Sequence, residues 1–135
     1  MGYYSKHIIK ITPVEQATQE NYQRIVDAIG HYSFRYHDGI IDDATWNDGD
    51  GTKWYEFYDD IYSIAKTLPD LIITFQKIGE DHYYSWDENA SDDIFTVTLN
   101  GENIVDDERD LTNDEIDTFE DLYERTADIQ LEPKH

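Results

Sequence analysis

Five carboxylates, Asp114, Asp117, Asp121, Glu124 and Asp128, recur at intervals of three or four residues near the end of this 135-residue chain. On an α-helix that spacing keeps side chains on one side. With a rise of about 1.5 Å per residue the five span a row about 20 Å long. Like charges so placed destabilise a helix by about 0.2–0.5 kcal/mol per pair, so the arrangement works against the element that carries it. Duplex DNA presents one negative charge per about 1.7 Å of axis. A folded body with such a row therefore has the charge pattern to occupy a basic groove built for phosphates. Asp106 and Asp107 precede the row closely, and Asp92 and Asp93 extend it further back. The plainer explanation is a solvated helix face in a highly soluble protein, and from sequence the two stand side by side.

A second group of oxygen ligands, Asp38, Asp42, Asp43, Asp48 and Asp50, suits a hard cation such as calcium or magnesium. The EF-hand spacing fails: with Gly51 at the required glycine, Trp46 takes the first ligand position and Phe57 the twelfth. An irregular divalent-cation module using Asp42, Asp48 and Asp50 stays open as an alternative to an ordinary Asp/Gly turn, and the leading expectation is no metal and no cofactor. The five histidines are scattered, with only His31 and His37 close in sequence. The serines lack a nucleophile-elbow context and there is no glycine-rich phosphate loop, so the chain carries no motif of an enzyme.

The formal net charge is -21, and it is unevenly placed. Residues 1–40 hold four acids and four bases, whereas 27 acids face only six bases from Ile41 onward. Self-repulsion of this size opposes compaction, so the charge serves solubility or is read by a partner. That partner is expected to be basic, since phosphate would repel this chain and few Lys or Arg are present to release counterions. Direct nucleic-acid binding is thus disfavoured. Hydrophobic residues make up 39% and aromatics 14%, more ring than a disordered acidic chain carries. With no cysteine, no signal-like N-terminus and no apolar run of spanning length, the expectation is a soluble protein of a bacterial host cytoplasm with no membrane contact.

The elements that must position these groups follow from periodicity. A single domain over 1–135 fits the length. Tyr4 to Ile11 reads as a strand. Thr12-Pro13-Val14-Glu15 reads as a capped helix start, with Val14, Ala17, Tyr22, Ile25 and Ile29 inward and Gly30 as the stop. His31 to Tyr36 suggests a short strand and Asp38 to Gly51 a long ordered loop. A second helix is expected from Thr52 to Pro69, burying Trp54, Phe57, Tyr58, Ile61, Ile64, Ala65 and Leu68. Leu71–Ile78, His82–Trp86, Asp93–Leu99 and Glu102–Val105 read as antiparallel strands, the last two joined at Asn100-Gly101. Thr112 and Glu115 form a capping box for the acidic helix. Tyr83, Tyr84 and Trp86 are candidates for an exposed ring face.

This order implies an α+β fold, an antiparallel sheet with helices packed on one face in a ferredoxin-like sandwich. The stretch from Lys53-Trp54-Tyr55 through Pro69-Asp70-Leu71 to Gly79-Glu80-Asp81 resembles the small ferredoxin-like proteins of phages and plasmids of the YubB type. The resemblance covers under half the chain and implies that fold and a mobile-element origin; the long acidic insertions depart from it. Together with the composition, it points to an inhibitor that mimics nucleic acid and blocks the basic groove of a host defence or regulatory protein. The alternative is a small acidic accessory protein that binds its partner through an aromatic sheet surface.

Overall fold

The computed structural model describes residues 5–30, 32–37, 39–43, 54, 56–79, 95–101, 103–108, 114, 117, 121 and 129–134. Among these residues seven strands form one sheet: β1 (Ser5–Thr12), β2 (Phe34–His37), β3 (Ile40–Asp43), β4 (Ile72–Gly79), β5 (Phe95–Asn100), β6 (Asn103–Glu108) and β7 (Ile129–Leu131). Their spatial order is β6-β5-β4-β1-β3-β2-β7, and every neighbouring pair is antiparallel. Helix α1 (Gln19–Ile29) connects β1 to β2, and α2 (Phe57–Thr67) connects β3 to β4. Each helix therefore crosses over one intervening strand. The architecture is α+β, as the order of elements implies.

Both helices cover the same face. Alternation along β1 sends Ile9 and Ile11 into a cluster with Tyr22, Ile25, Val26 and Ile29 of α1 and Phe57, Ile61, Ile64 and Ala65 of α2. The registers Ile9↔Ile41, Ile9↔Phe75, Ile73↔Leu99 and Phe34↔Leu131 carry that parity across the sheet. Residues of the opposite parity, among them Ile8, Lys10, Asp42 and Thr98, lie on the face turned away from α1 and α2.

Several boundaries differ from expectation, each for a local reason. Thr12 does not cap a helix, because it still pairs with Ile72 in the β1–β4 ladder. A single 3-10 turn over Val14–Gln16 follows, leaving Val14 76% exposed rather than buried. The cap of α1 is Thr18, whose Oγ1 accepts the Asn21 amide at 3.2 Å, and Gly30 closes the helix at φ 76°. Trp54 is not the first turn of α2. It lies ahead of the helix, and its Nε1 donates to Asp60 Oδ2 at 2.6 Å. Tyr58 is 42% exposed and off the core face that the spacing assigns to it. The expected loop from Asp38 contains instead a hairpin, with His37 opposite Ile40 and Gly39 at φ 84°. The β5–β6 hairpin turns at Gly101, φ 65°, with Asn100 opposite Asn103, one residue later than the Asn-Gly signal suggests. The expected strand His82–Trp86 lies outside the described residues. β7 is an addition that the sequence pattern does not announce.

Candidate functional site

Three members of the acidic row are among the described residues. Asp114, Asp117 and Asp121 are helical and all three are exposed. Intervals of three and four residues are those that share one side of a helix, and seven residues of helical rise span about 10 Å at about 1.5 Å per residue. Asp106 and Asp107 stand on β6, in register with Val97 and Thr96. Among the described strands β6 forms one margin of the sheet, so its two aspartates are carried by an edge. Glu124, Asp128, Asp92 and Asp93 lie outside the described residues, as do Tyr83, Tyr84 and Trp86.

The second acidic group has a different fate. Asp42 sits in the middle of the sheet on β3, paired to Ile8 of β1 on one side and Arg35 of β2 on the other. Its side chain is 0% exposed. Oδ2 accepts a hydrogen bond from Arg35 Nη2 at 3.0 Å, and Oδ1 lies 3.5 Å from His37 Nε2. The guanidinium supplies the positive charge that a cation would bring, so Asp42 neutralises a largely buried arginine. Asp48 and Asp50 lie outside the described residues. Among the described residues no three His, Asp or Glu side chains are grouped to hold a metal ion.

Sequence reading misses Arg35 and His37 as partners of Asp42. The signal is there: Asp38-Gly39 is a hairpin dipeptide flanked by alternating residues, and a two-residue turn at that point places Arg35 opposite Asp42.

Two other surfaces carry polar groups. Along α1 an open depression of about 530 Å³ is lined by Gln19, Glu20, Gln23, Arg24, Asp27 and Lys134. Its polar atoms are largely engaged within the chain. Gln23 Nε2 donates to Asp27 Oδ1 at 2.9 Å and to the Glu132 carbonyl at 2.7 Å, and the Lys134 amide donates to Asp27 at 2.8 Å. The Arg24 fork donates to both Asp70 oxygens at 2.9 and 3.0 Å, which holds the Asp70 carboxyl below the usual carboxylate range. On the core side, His7 is wholly buried between aromatic rings, 4.9 Å from Trp54 and 5.4 Å from Phe57 between centroids. It belongs to the packing of the core.

The remaining surface that sequence reading misses is on α2. Tyr58 and Tyr62, one turn apart, are 42% and 49% exposed, while Glu56 and Asp59 beside them are exposed as well. No helix of the described residues is long and apolar enough to cross a membrane. Comparison of the chain with protein-family models, with curated proteins and with solved structures gave no match.

Proposed function

We propose that the protein is an inhibitor, of phage or mobile-element origin, that mimics nucleic acid. It occupies the basic DNA- or RNA-binding groove of a host defence or regulatory protein and blocks it sterically. The observation that carries this reading is the exposure of three helical aspartates at helical spacing, Asp114, Asp117 and Asp121, in a chain whose net charge is -21. A helix built for stability alone would interleave bases with these acids. Aspartates on the β6 edge add to the same negative field. The fold is read as a ferredoxin-like sandwich enlarged on both sides. In support, the inner strands run β4-β1-β3-β2 with a helix crossing over one strand in each half, while β5, β6 and β7 are additions to that four-stranded arrangement.

The test is recovery of a partner from bacterial lysate on the tagged protein at low salt, with elution by a salt gradient. A nucleic-acid-binding protein that elutes steeply with salt and is displaced by DNA or RNA supports the reading. Asp114→Asn/Asp117→Asn/Asp121→Asn should abolish its capture with circular dichroism unchanged. A captured partner indifferent to salt, to competitor and to this variant overturns it.

A further inference from the structure

Asn100 and Gly101 are neighbours at the tip of the β5–β6 hairpin, and between them they hold both groups of an intramolecular reaction. Asn100 ends β5 and its side chain is exposed. The amide carbon of that side chain is an electrophile, and the backbone nitrogen of the next residue can reach it by closing a five-membered ring. The next residue is glycine, so no Cβ shields the attacking nitrogen. Gly101 lies in the turn, past the last ladder pair Asn100↔Asn103, so its amide stands outside the pairing of β5 with β6. The pairing of Asn100 itself opposes the reaction. Asn100 is matched with Ile72 of β4 on one side and Asn103 of β6 on the other, and the extended backbone of a strand keeps the following nitrogen turned away from the side-chain carbon. Ring closure therefore waits for the hairpin end to open, and strand ends open at the low end of local-unfolding free energies. Asn103 supplies a comparison within the same molecule. It too is exposed and faces Asn100 across the hairpin, but it is followed by Ile104, whose branched side chain crowds the attacking amide.

We propose that Asn100 is a site of spontaneous deamidation. The Gly101 nitrogen gives its proton to solvent base and bonds to Asn100 Cγ. The bond from Cγ to the side-chain nitrogen breaks, and that nitrogen leaves with a proton as ammonia. Water then opens the cyclic imide at either carbonyl. Attack at Cγ gives aspartate, and attack at the main-chain carbonyl gives isoaspartate, in which the chain runs through Cγ. The sum is amide plus water to carboxylic acid plus ammonia, with no change of oxidation state. Either product adds a carboxylate to the hairpin whose second strand carries Asp106 and Asp107. Isoaspartate also lengthens the backbone by a methylene between Leu99 and Gly101, which unfits the residue for its pairing with Ile72. The site requires no partner, so it stands or falls apart from the reading of the acidic row.

The experiment holds the full chain in mildly alkaline buffer at physiological temperature and maps its asparagines by mass spectrometry at successive times, with a zero-time sample to subtract conversion during digestion. Asn100 should turn steadily into a mixture of aspartate and isoaspartate, told apart by their fragmentation, while Asn103 stays intact. Gly101→Asn puts a Cβ on the attacking residue yet keeps a side chain that tolerates the φ of 65°. That Cβ meets the Pro69 carbonyl oxygen at an ordinary 3.8 Å, so the hairpin is retained and conversion at position 100 should fall to the level of Asn103. Asn100→Gln, which would have to close a larger ring, should lose the reaction as well. An Asn100 that survives as long as Asn103 overturns the proposal, as does conversion that yields no isoaspartate. So does a Gly101→Asn variant that converts at the wild-type rate with its circular dichroism unchanged.

Discussion

Replacing Asp42 with asparagine removes a negative charge at 0% exposure and leaves the volume almost unchanged. The Arg35 guanidinium then loses the carboxylate 3.0 Å away. Removing one member of a buried ion pair costs about 3–5 kcal/mol, because the other charge stays behind without compensation. Arg35 keeps 18% of its side-chain exposure and some access to water, which places the expected loss at the lower end, about 3 kcal/mol. For a chain of this length each kcal/mol corresponds to roughly 3–5 °C in Tm, so calorimetry should show a fall of about 9–15 °C. The companion change, Arg35→Met with Asp42→Leu, withdraws both charges and should recover at least half of that loss. The experiment also bears on the cation alternative. A structural pair predicts the same loss with and without calcium, whereas a cation site predicts a calcium-dependent rise in Tm that Asp42→Asn removes. A fall below about 1 kcal/mol, or a double variant no better than the single one, would refute the ion-pair reasoning.

Tyr22 is buried, accepts the Ile11 amide at 3.0 Å and donates to the Gly39 carbonyl, so Tyr22→Phe should cost about 1–3 kcal/mol in a urea melt. Burial pushes its pKa from 10.0 to about 12, with the neighbouring Tyr36 adding to the rise and the Ile11 hydrogen bond opposing it. The folded state thus retains a proton the unfolded chain releases. Its stabilisation is complete below pH 10 and disappears between pH 10 and about 12. The loss runs at up to about 1.4 kcal/mol per pH unit, and Tyr22→Phe should flatten that slope. Gly39→Ala should lose about 1–2 kcal/mol through backbone strain at φ 84°; an unshifted midpoint in chemical denaturation would mean that the turn relaxes freely. Raising NaCl from about 20 mM to about 0.5 M should raise Tm by screening self-repulsion, and the rise should be smaller in Asp114→Asn/Asp117→Asn/Asp121→Asn.

Strands and helices rich in Ile and aromatic residues are legible because their periodicity is strong: β1, β4 and β5 fall within a few residues of expectation, and α1 and α2 end close to where they should but start six and five residues later than expected. The errors arise where two local signals compete. Thr12-Pro13 and Thr18 both offer helix starts, and the sheet decides between them by keeping Thr12 in its ladder with Ile72. Between residues 38 and 51 the density of Asp suggests a ligand loop and obscures the hairpin at Asp38-Gly39. Tyr58 shares helical spacing with Phe57 and Ile61, yet lies one position round from the stripe, so its class does not reveal its exposure. β7 is three residues long with a single buried one, Leu131, too short to leave a pattern. Of the candidate acids, Asp114, Asp117 and Asp121 can be placed by spacing alone, but Asp42 can be assigned only once its cross-strand neighbours are known.

The position of β1 in the sheet has a consequence for how the chain reaches its native state. It is the first strand in sequence and a central one in space, with β3 on one flank and β4 on the other. Ser5 must find Gly79, and Thr12 must find Ile72. Pairings between such distant residues require closing long loops before any contact rewards the ordering, which slows two-state folding. The β2–β3 and β5–β6 hairpins need only short turns and close in microseconds. Assembly therefore waits on β1. A chain emerging from the ribosome carries this apolar strand through the synthesis of every residue up to Ile72 before its β4 partner exists, with α1 and the β2–β3 hairpin as its first available shelter. Truncations that end before Ile72 should expose that strand and aggregate, however acidic the remainder of the protein.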